Sequence, residues 1–431
     1  MTQQTFNGLG IAPKIREILD KLHFTVPTPI QNQSIQPALL GKDIMGIAQT
    51  GTGKTLAFGI PMMQLIAQNK GKGLVILPTR ELAAQVREAL NQVGQHLGLR
   101  MATLIGGENI HRQLVQLRVQ PHIVIATPGR LIDHIKQRTV NLSQTKILVL
   151  DEADRMLDMG FAPQIKEILK TLPKDRQTLL FSATLPVEIV SIAKNYMKFP
   201  VRVEVAPSGT AAANVTQEIF FVNREDKLSL LKNILSEYKG SVLIFSRTKF
   251  GVKKMTQLIS RMGHTVSEIH SNRSLNQRTE ALAGFKTGRY RILAATDIAA
   301  RGLDVNNIEL VINYDLPEQI SDYVHRIGRT GRASNIGHAI SFATPNQKSD
   351  VKAIEKLIKK QLVISNLPSL PKNQFKPSFN KQPKSSENSY LSRKNVLGRS
   401  GSRRKKYGKD NADRRRQPFS RFNNRRGKSR Y

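Results

Sequence analysis

The sequence predicts an α/β protein with two consecutive domains built on parallel sheets, followed by a disordered basic tail. Short runs of aliphatic residues alternate with helix-like patterns, as in parallel sheets covered by helices on both faces. These runs form two series, separated by a segment of small and helix-breaking residues. The last 60 residues lack apolar periodicity and are rich in Ser, Asn, Gly and Pro, which favours disorder.

The predicted strands follow the aliphatic runs in order. The first series comprises 43–48, 73–78, 101–106, 122–127, 146–151 and 177–182. The second series comprises 241–246, 264–269, 290–296, 309–314 and 338–343. Helical patterns between them include 81–94 and 227–238. We therefore predict domain one over 1–205, a linker over 206–216, domain two over 217–363 and the tail over 364–431.

Composition restricts the classes of function. A chain of 431 residues with a net charge of +35 is too long for one ordinary core and indicates a polyanionic partner, most simply nucleic acid. A membrane-spanning segment is not expected, because the sequence has no uninterrupted apolar run of about 18 residues. The N-terminus does not resemble a signal peptide. Zero cysteines exclude disulfides and thiolate chemistry and fit a cytoplasmic location.

The tail carries about half of the excess charge. Residues 372–431 contain 20 Lys and Arg and three acids, a net charge of +17, which leaves +18 on the rest of the chain. Aromatic residues are interspersed with these cations, so the tail could bind RNA non-specifically and stack on bases. A solubilising charge run is the other interpretation of the same composition.

Polar clusters follow several predicted strands at the point where each strand ends. Ligands of open α/β sheets bind beyond the carboxyl ends of the strands, so these clusters predict a functional site. They are AQTGTGKT (48–55), PTREL (78–82), TPGR (127–130), SAT (182–184) and ATDIAARGLD (295–304).

The first cluster has the pattern of a phosphate-binding loop. Its glycines let backbone N–H groups turn toward phosphates at a helix N-terminus, Lys54 neutralises β- and γ-phosphate, and the Thr55 hydroxyl reaches Mg²⁺. Ala48 stands where the general pattern has glycine, and a glycine turn that binds nothing is the alternative. The predicted nucleotide-binding residues of this loop are Ala48, Gln49, Thr50, Gly51, Thr52, Gly53, Lys54 and Thr55.

Two acids, Asp151 and Glu152, follow a strand of four apolar residues. In phosphate-loop NTPases an acid at this position holds Mg²⁺, which assigns that role to Asp151. Glu152 can orient and deprotonate the attacking water. For Asp154, an electrostatic contact with a helix N-terminus is an alternative.

These motifs together resemble one known family. Further motifs are HFTVPTPIQ (23–31), GG (106–107), LIFSRT (243–248) and HRIGRTGR (325–332). With DEAD at 151–154, the chain resembles the DEAD-box RNA helicases of helicase superfamily 2, and more narrowly their bacterial RhlE-type members. The resemblance covers about 6–362, with a Q motif at about 4–32, and implies two RecA-like domains with ATP and Mg²⁺ as cofactors.

The resemblance assigns roles at the nucleotide. Gln31 reads adenine, with Phe6 and Phe24 packed nearby, although a polar helix N-terminus would also explain Gln31. Asp304 contacts the ribose. Domain two has no phosphate loop, because SRTKFG follows LIF where GKT would be needed, and it instead supplies arginine fingers. The catalytic set implied is Lys54, Asp151, Glu152, Arg329 and Arg332.

The resemblance also assigns interdomain and RNA contacts. The coupling residues implied are Asp154, Ser182, Thr184 and His325, and Ser182 and Thr184 could instead cap strand ends. RNA phosphates and 2′-hydroxyls are contacted by Arg80, Gly107, Thr127, Arg130, Arg278 and Thr296. Two departures from the family pattern fall in the segment of domain two that carries this RNA contact: Leu275 stands where the family usually has Gln, and His270-Ser271 replaces His-Gly.

The implied function is RNA-stimulated ATP hydrolysis, coupled to local, non-processive unwinding of short RNA duplexes or to ribonucleoprotein remodelling. The expected partners are single-stranded and short duplex RNA, with ribonucleoprotein or RNA-decay proteins on the tail, and the expected state is a monomer. Two alternatives remain open: an ATP-gated RNA clamp or annealing chaperone, and a DNA-remodelling ATPase of the same superfamily.

Overall fold

The computed structural model describes residues 5–49, 51–205, 215–300, 308–331 and 337–368, except for the side chain of residue 298. Within these residues, no helix is both long enough and apolar enough to cross a lipid bilayer. Most of the predicted tail and the greater part of the predicted linker lie outside the described residues.

Domain one alternates strands and helices from near the N-terminus. Its strands are β1 (Ile44–Ile47), β2 (Lys72–Ile76), β3 (Met101–Leu104), β4 (Ile123–Ala126), β5 (Thr145–Leu150), β6 (Gln177–Ser182) and β7 (Val201–Glu204). Its helices are α1 (Pro13–Lys21), α2 (Pro29–Leu39), α3 (Lys54–Asn69), α4 (Arg80–Gly94), α5 (Ile110–Arg118), α6 (Pro128–Lys136), α7 (Ala153–Asp158), α8 (Ala162–Thr171) and α9 (Val187–Tyr196).

Domain two repeats this alternation. Its strands are β8 (Val215–Phe221), β9 (Val242–Phe245), β10 (Val266–Ile269), β11 (Ile292–Ala295), β12 (Leu310–Asn313), β13 (Gly337–Ala343) and β14 (Val363–Ile364). Its helices are α10 (Lys227–Glu237), α11 (Lys249–Arg261), α12 (Leu275–Lys286), α13 (Asp297–Ala300), α14 (Ser321–Ile327) and α15 (Lys348–Ile358).

The two sheets have the same strand order. The first runs β3-β4-β2-β5-β6-β1-β7 and the second β10-β11-β9-β12-β13-β8-β14, and neighbouring strands are parallel throughout. Each sheet separates two buried apolar clusters, one under the helices of each face. The prediction of two α/β domains with parallel sheets is therefore confirmed.

Every predicted strand lies where the sequence placed it, but three strands were not predicted. β7 and β14 are edge strands with exposed side chains, so they lack an apolar run. β8 mixes polar and aromatic residues and was not recognised, although it pairs with β13 along seven residues. Since β8 begins at Val215, residues 215–216 of the predicted linker are part of a strand.

The strand order corrects the location of the missing phosphate loop in domain two. β9, which precedes SRTKFG, has the place in its sheet that β2 has in the first sheet. The strand equivalent to β1 is β8, so the segment to compare with AQTGTGKT is 222–226, VNRED. This segment contains neither the glycines nor the lysine of a phosphate loop. The prediction that domain two lacks this loop stands, but the segment named for it was wrong.

Candidate active site

The loop between β1 and α3 has the backbone geometry that a phosphate-binding loop requires. Gly51 and Gly53 have φ angles of 88° and 89°, in the left-handed region that residues with a side chain rarely adopt. The Thr52 hydroxyl donates to the Gln49 carbonyl at 2.7 Å, which closes the turn. The N–H groups at the start of α3 need acceptors, and a phosphate placed there would supply them.

Gln31 connects the start of α2 to this loop. Its Oε1 accepts from the Thr28 N–H at 2.9 Å, and its Nε2 donates to the Gly53 carbonyl at 3.0 Å. A Cβ atom on Gly53 would lie only 2.6 Å from Gln31 Nε2. The contact at the helix N-terminus is therefore present, and the amide retains one lone pair and one N–H for adenine.

The two aromatic residues predicted near adenine lie in different environments. Phe6 is 6% exposed and packs in the cluster that includes Ile15 and Leu19 of α1. Phe24 is 39% exposed, in the segment before α2. Phe6 therefore has a structural role in the core, whereas the ring of Phe24 is accessible to a ligand.

Lys54 and Asp151 face each other at the carboxyl ends of the strands, after β1 and β5, which lie on either side of β6. Lys54, 6% exposed, donates from Nζ to the Ala48 carbonyl at 3.0 Å and lies 3.9 Å from Asp151 Oδ1. Asp151 follows β5, and its N–H donates to the Ile76 carbonyl at the end of β2. The register of the parallel strands thus places the carboxylate opposite the phosphate loop.

Burial controls the electrostatics of Asp151. It raises the pKa of Asp151 to about 6; the Lys54 ammonium opposes the shift, and the neighbouring Glu152 and Asp154 carboxylates add to it. A cation at this carboxylate would relieve the cost of its buried charge.

The described residues contain no group of three or more acids or histidines placed to hold a metal. One carboxylate and the Thr55 hydroxyl nevertheless fit Mg²⁺, which keeps waters and substrate phosphates as its other ligands.

Glu152 is buried and has a left-handed backbone, with φ of 52° and ψ of 49°. Its N–H donates to Asp151 Oδ1 at 2.9 Å. Its Oε2 accepts from Arg155 Nη1 at 2.7 Å. A non-glycine residue in this conformation carries strain, which is frequent at functional sites.

Asp154 binds the SAT segment. Its Oδ2 accepts from the Ala183 N–H at 3.1 Å and from both the N–H and the hydroxyl of Thr184 at 2.8 Å. The Asp154 N–H donates to Ser182 Oγ at 3.2 Å. These contacts lie within domain one. They join the DEAD segment to the SAT segment, and a role in interdomain coupling remains a prediction.

A contact between the domains adjoins the DEAD segment. Arg155 Nη2 lies 3.2 Å from Nδ1 of His325, which belongs to α14 of domain two. Arg329, 2% exposed, lines the same small cavity as these two residues. The structure therefore brings one predicted arginine finger to the side of the DEAD segment.

Arg326 anchors the segment that carries Arg329. Its guanidinium makes a two-point contact with Asp297, at 2.5 and 2.7 Å, and donates to Asn313 Oδ1 at 3.1 Å. Its carbon Cζ lies 5.0 Å from the centroid of the Phe245 ring. Arg326 therefore has a structural role within domain two. Three predicted site residues, Thr50, Asp304 and Arg332, lie outside the described residues.

Comparisons with known proteins agree with this geometry. The DEAD/DEAH box helicase model matches residues 28–192, and the helicase conserved C-terminal domain matches residues 226–334. The ATP-dependent RNA helicase DbpA of Bacillus subtilis is 43% identical over 356 residues, 82% of this chain and 74% of the relative. The chain belongs to the DEAD-box ATP-dependent RNA helicases. The DEAD-box ATP-dependent RNA helicase CshA of Bacillus cereus is 40% identical over 369 residues, 85% of this chain and 70% of the relative.

Solved structures of the family share the fold of this helicase. Dbp5 of S. cerevisiae bound to RNA and ADP BeF3 has a TM-score of 0.76 at 29% identity, covering 84% of this chain and 95% of that one. Mss116p bound to ssRNA and AMP-PNP has a TM-score of 0.78 at 26% identity, covering 85% and 80%. The tandem RecA-like architecture is thereby confirmed, whereas the RhlE-type likeness remains a prediction.

Two RNA candidates of this helicase, Arg80 and Gly107, touch each other. The guanidinium of Arg80 lies over Gly106 and Gly107, and a Cβ on Gly107 would overlap it. Gly107 also has a φ of 77°, so a side chain is excluded for two reasons. Glycine at this position lets the arginine lie flat against the backbone.

A third candidate, Arg130, is held by a buried network. Its Nη1 donates to the Glu108 carbonyl and to Gln113 Oε1, both at 3.1 Å. Gln113 is fully buried and also contacts His134 Nε2 at 3.1 Å. Thr127 precedes the same helix, α6, and is buried, with 8% of its surface exposed.

One RNA candidate of domain two, Arg278, lies at the contact with domain one. Arg278 Nη2 lies 2.9 Å from Oε2 of Glu81, the residue after Arg80. Leu275, three residues before Arg278, packs against the apolar cluster of domain one. The residue that departs from the family pattern is thus part of an interdomain contact. Thr296 lies between the end of β11 at Ala295 and the start of α13 at Asp297.

Sequence reasoning missed three residues that organise this site. Arg155, Gln113 and Glu81 hold respectively Glu152, Arg130 and Arg278. Glu81 follows Arg80 in PTREL, so that motif contained a signal. Gln113 and Arg155 lie on helices and have no local pattern that distinguishes them from solvated side chains.

Proposed function

We propose that this helicase hydrolyses ATP in an RNA-stimulated cycle and separates short RNA duplexes locally, without translocation. The observation that carries the proposal is the contact of Arg155, beside the DEAD carboxylates, with His325 of the HRIGRTGR segment. A site completed by both domains is assembled only when they close. ATP and RNA that both favour the closed form each strengthen the binding of the other.

At the nucleotide, each role rests on one feature of the chain. The loop N–H groups and Lys54 bind the phosphates, and Gln31 orients the base. Glu152 accepts the proton of the attacking water, because it is the carboxylate beside the phosphate-facing Asp151. Mg²⁺ bound with ATP, held by Asp151 and Thr55, would neutralise charge on the phosphates. Arg329, with Arg332, stabilises the charge that develops on the γ-phosphate.

At the RNA, the proposed contacts are to the backbone. Arg80, Arg130 and Arg278 bind phosphates, while Gly107, Thr127 and Thr296 offer backbone groups and hydroxyls. Backbone contacts carry no sequence information, and contacts to 2′-hydroxyls separate RNA from DNA. The tail adds affinity that does not depend on sequence, through its net charge of +17 between residues 372 and 431. A cytoplasmic location, a monomeric state and protein partners on the tail remain part of the proposal.

ATP turnover measured alone, with RNA oligonucleotides and with DNA of the same sequence tests the proposal. We expect strong stimulation by RNA and weak stimulation by DNA. Equal stimulation by duplex DNA would favour the DNA-remodelling alternative. Strand annealing without ATP-dependent unwinding would favour the clamp or chaperone alternative.

A further inference from the structure

Arg155 is a buried cation whose contact with His325 supports the proposed function but to which no chemical role has been assigned. Its side chain is 1% exposed and lies on α7, directly after the DEAD segment. A buried guanidinium is tolerated only when its N–H groups are paired. The partners of this cation are therefore the key to its role.

The first partner is the proposed catalytic carboxylate. Nη1 of Arg155 donates to Glu152 Oε2 at 2.7 Å, and both side chains are almost completely buried. Glu152 has a strained backbone, and its side chain has little contact with solvent. Its carboxylate therefore takes its orientation from Arg155 rather than from water.

The second partner belongs to the other domain. Nη2 of Arg155 lies 3.2 Å from Nδ1 of His325. A guanidinium only donates hydrogen bonds, so Nδ1 must accept here and the ring carries its proton on Nε2. The same cation thus contacts the proposed base of domain one and a motif of domain two.

We propose that Arg155 is the positioning residue through which closure of the two domains orients Glu152, an inference that rests on the proposed function. With the two domains in contact, Nη2 faces His325 while Nη1 donates to one oxygen of Glu152. When the domains separate, both nitrogens can turn to the carboxylate in the two-point contact that arginine favours. Both oxygens of Glu152 are then engaged by Arg155, neither is left to accept the proton of the attacking water, and hydrolysis without RNA is suppressed.

The first experiment compares Arg155→Lys with wild type and with Arg202→Lys. Arg202 forms an exposed pair with Glu204, also at 2.7 Å, and is a matched control for the loss of a guanidinium. A lysine can keep the buried charge but lacks the planar fork whose two separate nitrogens reach Glu152 and His325. We expect turnover at saturating RNA to fall about tenfold or more, while the affinity for a non-hydrolysable ATP analogue changes by less than about threefold. Turnover of folded Arg155→Lys within about twofold of wild type would overturn the proposal.

A double-mutant cycle separates positioning from a structural role. His325→Ala removes the second partner of Arg155 without changing the sequence of domain one. If Arg155 acts through His325, the double variant should be no slower than the slower single variant by more than about twofold. Losses that multiply would show that the two residues act independently, which also contradicts the proposal.

A second pair of variants avoids an unpaired buried charge, in case Arg155→Lys does not fold. Glu152→Gln is compared with Glu152→Gln/Arg155→Met, in which both charges are removed. For each, the affinity for an RNA oligonucleotide is measured with and without the ATP analogue. The ratio of the RNA affinity with the analogue to that without it should be about fivefold lower in the double variant. The reason is that the contact of Arg155 with His325, which favours the closed form, is absent. Equal ratios would refute the inference. The proposed function is tested separately by the wild-type protein. If RNA does not stimulate its ATP turnover, the proposed function is wrong, whatever the variants show.

Discussion

The Lys54 ammonium lies 3.9 Å from Asp151 Oδ1, yet the pKa of Asp151 is raised to about 6 because burial outweighs the attraction. The folded protein therefore holds this proton more tightly than the unfolded chain, for which the ordinary value is 3.8. Between these pH values the folded state binds more protons, so the contribution of Asp151 to stability falls as pH rises.

Replacing Asp151 with Asn should consequently stabilise the nucleotide-free protein more at neutral pH than at acidic pH. We expect the difference in unfolding free energy, variant minus wild type, to grow by about 1–3 kcal/mol from about pH 4 to about pH 7. Urea denaturation at several pH values, without nucleotide or divalent ions, measures it. Asp175→Asn is the control, for which no such growth with pH is expected. Hydrogen bonding to Lys198 lowers the pKa of this exposed carboxyl, whereas the pKa of Asp151 is raised. A difference that is flat with pH would contradict the assignment.

Glu152→Gln should separate binding from hydrolysis. The amide oxygen can still accept from Arg155, so the fold and the affinity for an ATP analogue should be nearly unchanged. Turnover with RNA should fall by about 10²-fold or more, because an amide cannot take the proton of the attacking water. Glu188→Gln, at an exposed position on α9, is the control. Turnover within about threefold of wild type would remove Glu152 from its role.

Leu275→Ala should weaken closure rather than chemistry. It removes the apolar contact with domain one and leaves Arg278 in place. The RNA concentration for half-maximal ATP turnover should rise about three- to tenfold, with maximal turnover within about twofold of wild type. Val363→Ala, exposed on β14, is the control. Leu275→Gln should bind RNA at least as well as Leu275→Ala, and much weaker binding would show that this position is not equivalent to the family Gln.

Removal of residues 372–431 should weaken RNA binding and flatten its salt dependence. Each tail cation that contacts a phosphate of single-stranded RNA contributes about 0.7 to the slope of log K against log salt. The slope should therefore decrease by several units if the cations of this segment engage RNA. A full-length variant with scrambled tail order, which keeps the charge of +17, should retain the wild-type slope. An unchanged slope after deletion would mean that the tail does not bind RNA.

The central strands could be predicted because burial on both faces makes them continuous apolar runs, as in β5 and β6. The edge strands β7 and β14 could not, since most of their side chains face solvent and they lack an apolar run. The phosphate loop and the DEAD acids were predicted from local patterns. The contact between Arg155 and His325 joins residues 170 positions apart, so it depends on how two domains meet rather than on any local pattern.

Gly53 gives one further consequence, because Gln31 fills the space where a side chain would be. Any larger residue at 53 would displace the Gln31 amide and distort the turn between β1 and α3. Under the proposed function, recognition of the base and binding of the phosphates therefore depend on the same pair of residues, and a change made for one is expected to alter the other. A variant engineered at Gln31 or Gly53 to accept GTP is therefore expected to hydrolyse it more slowly.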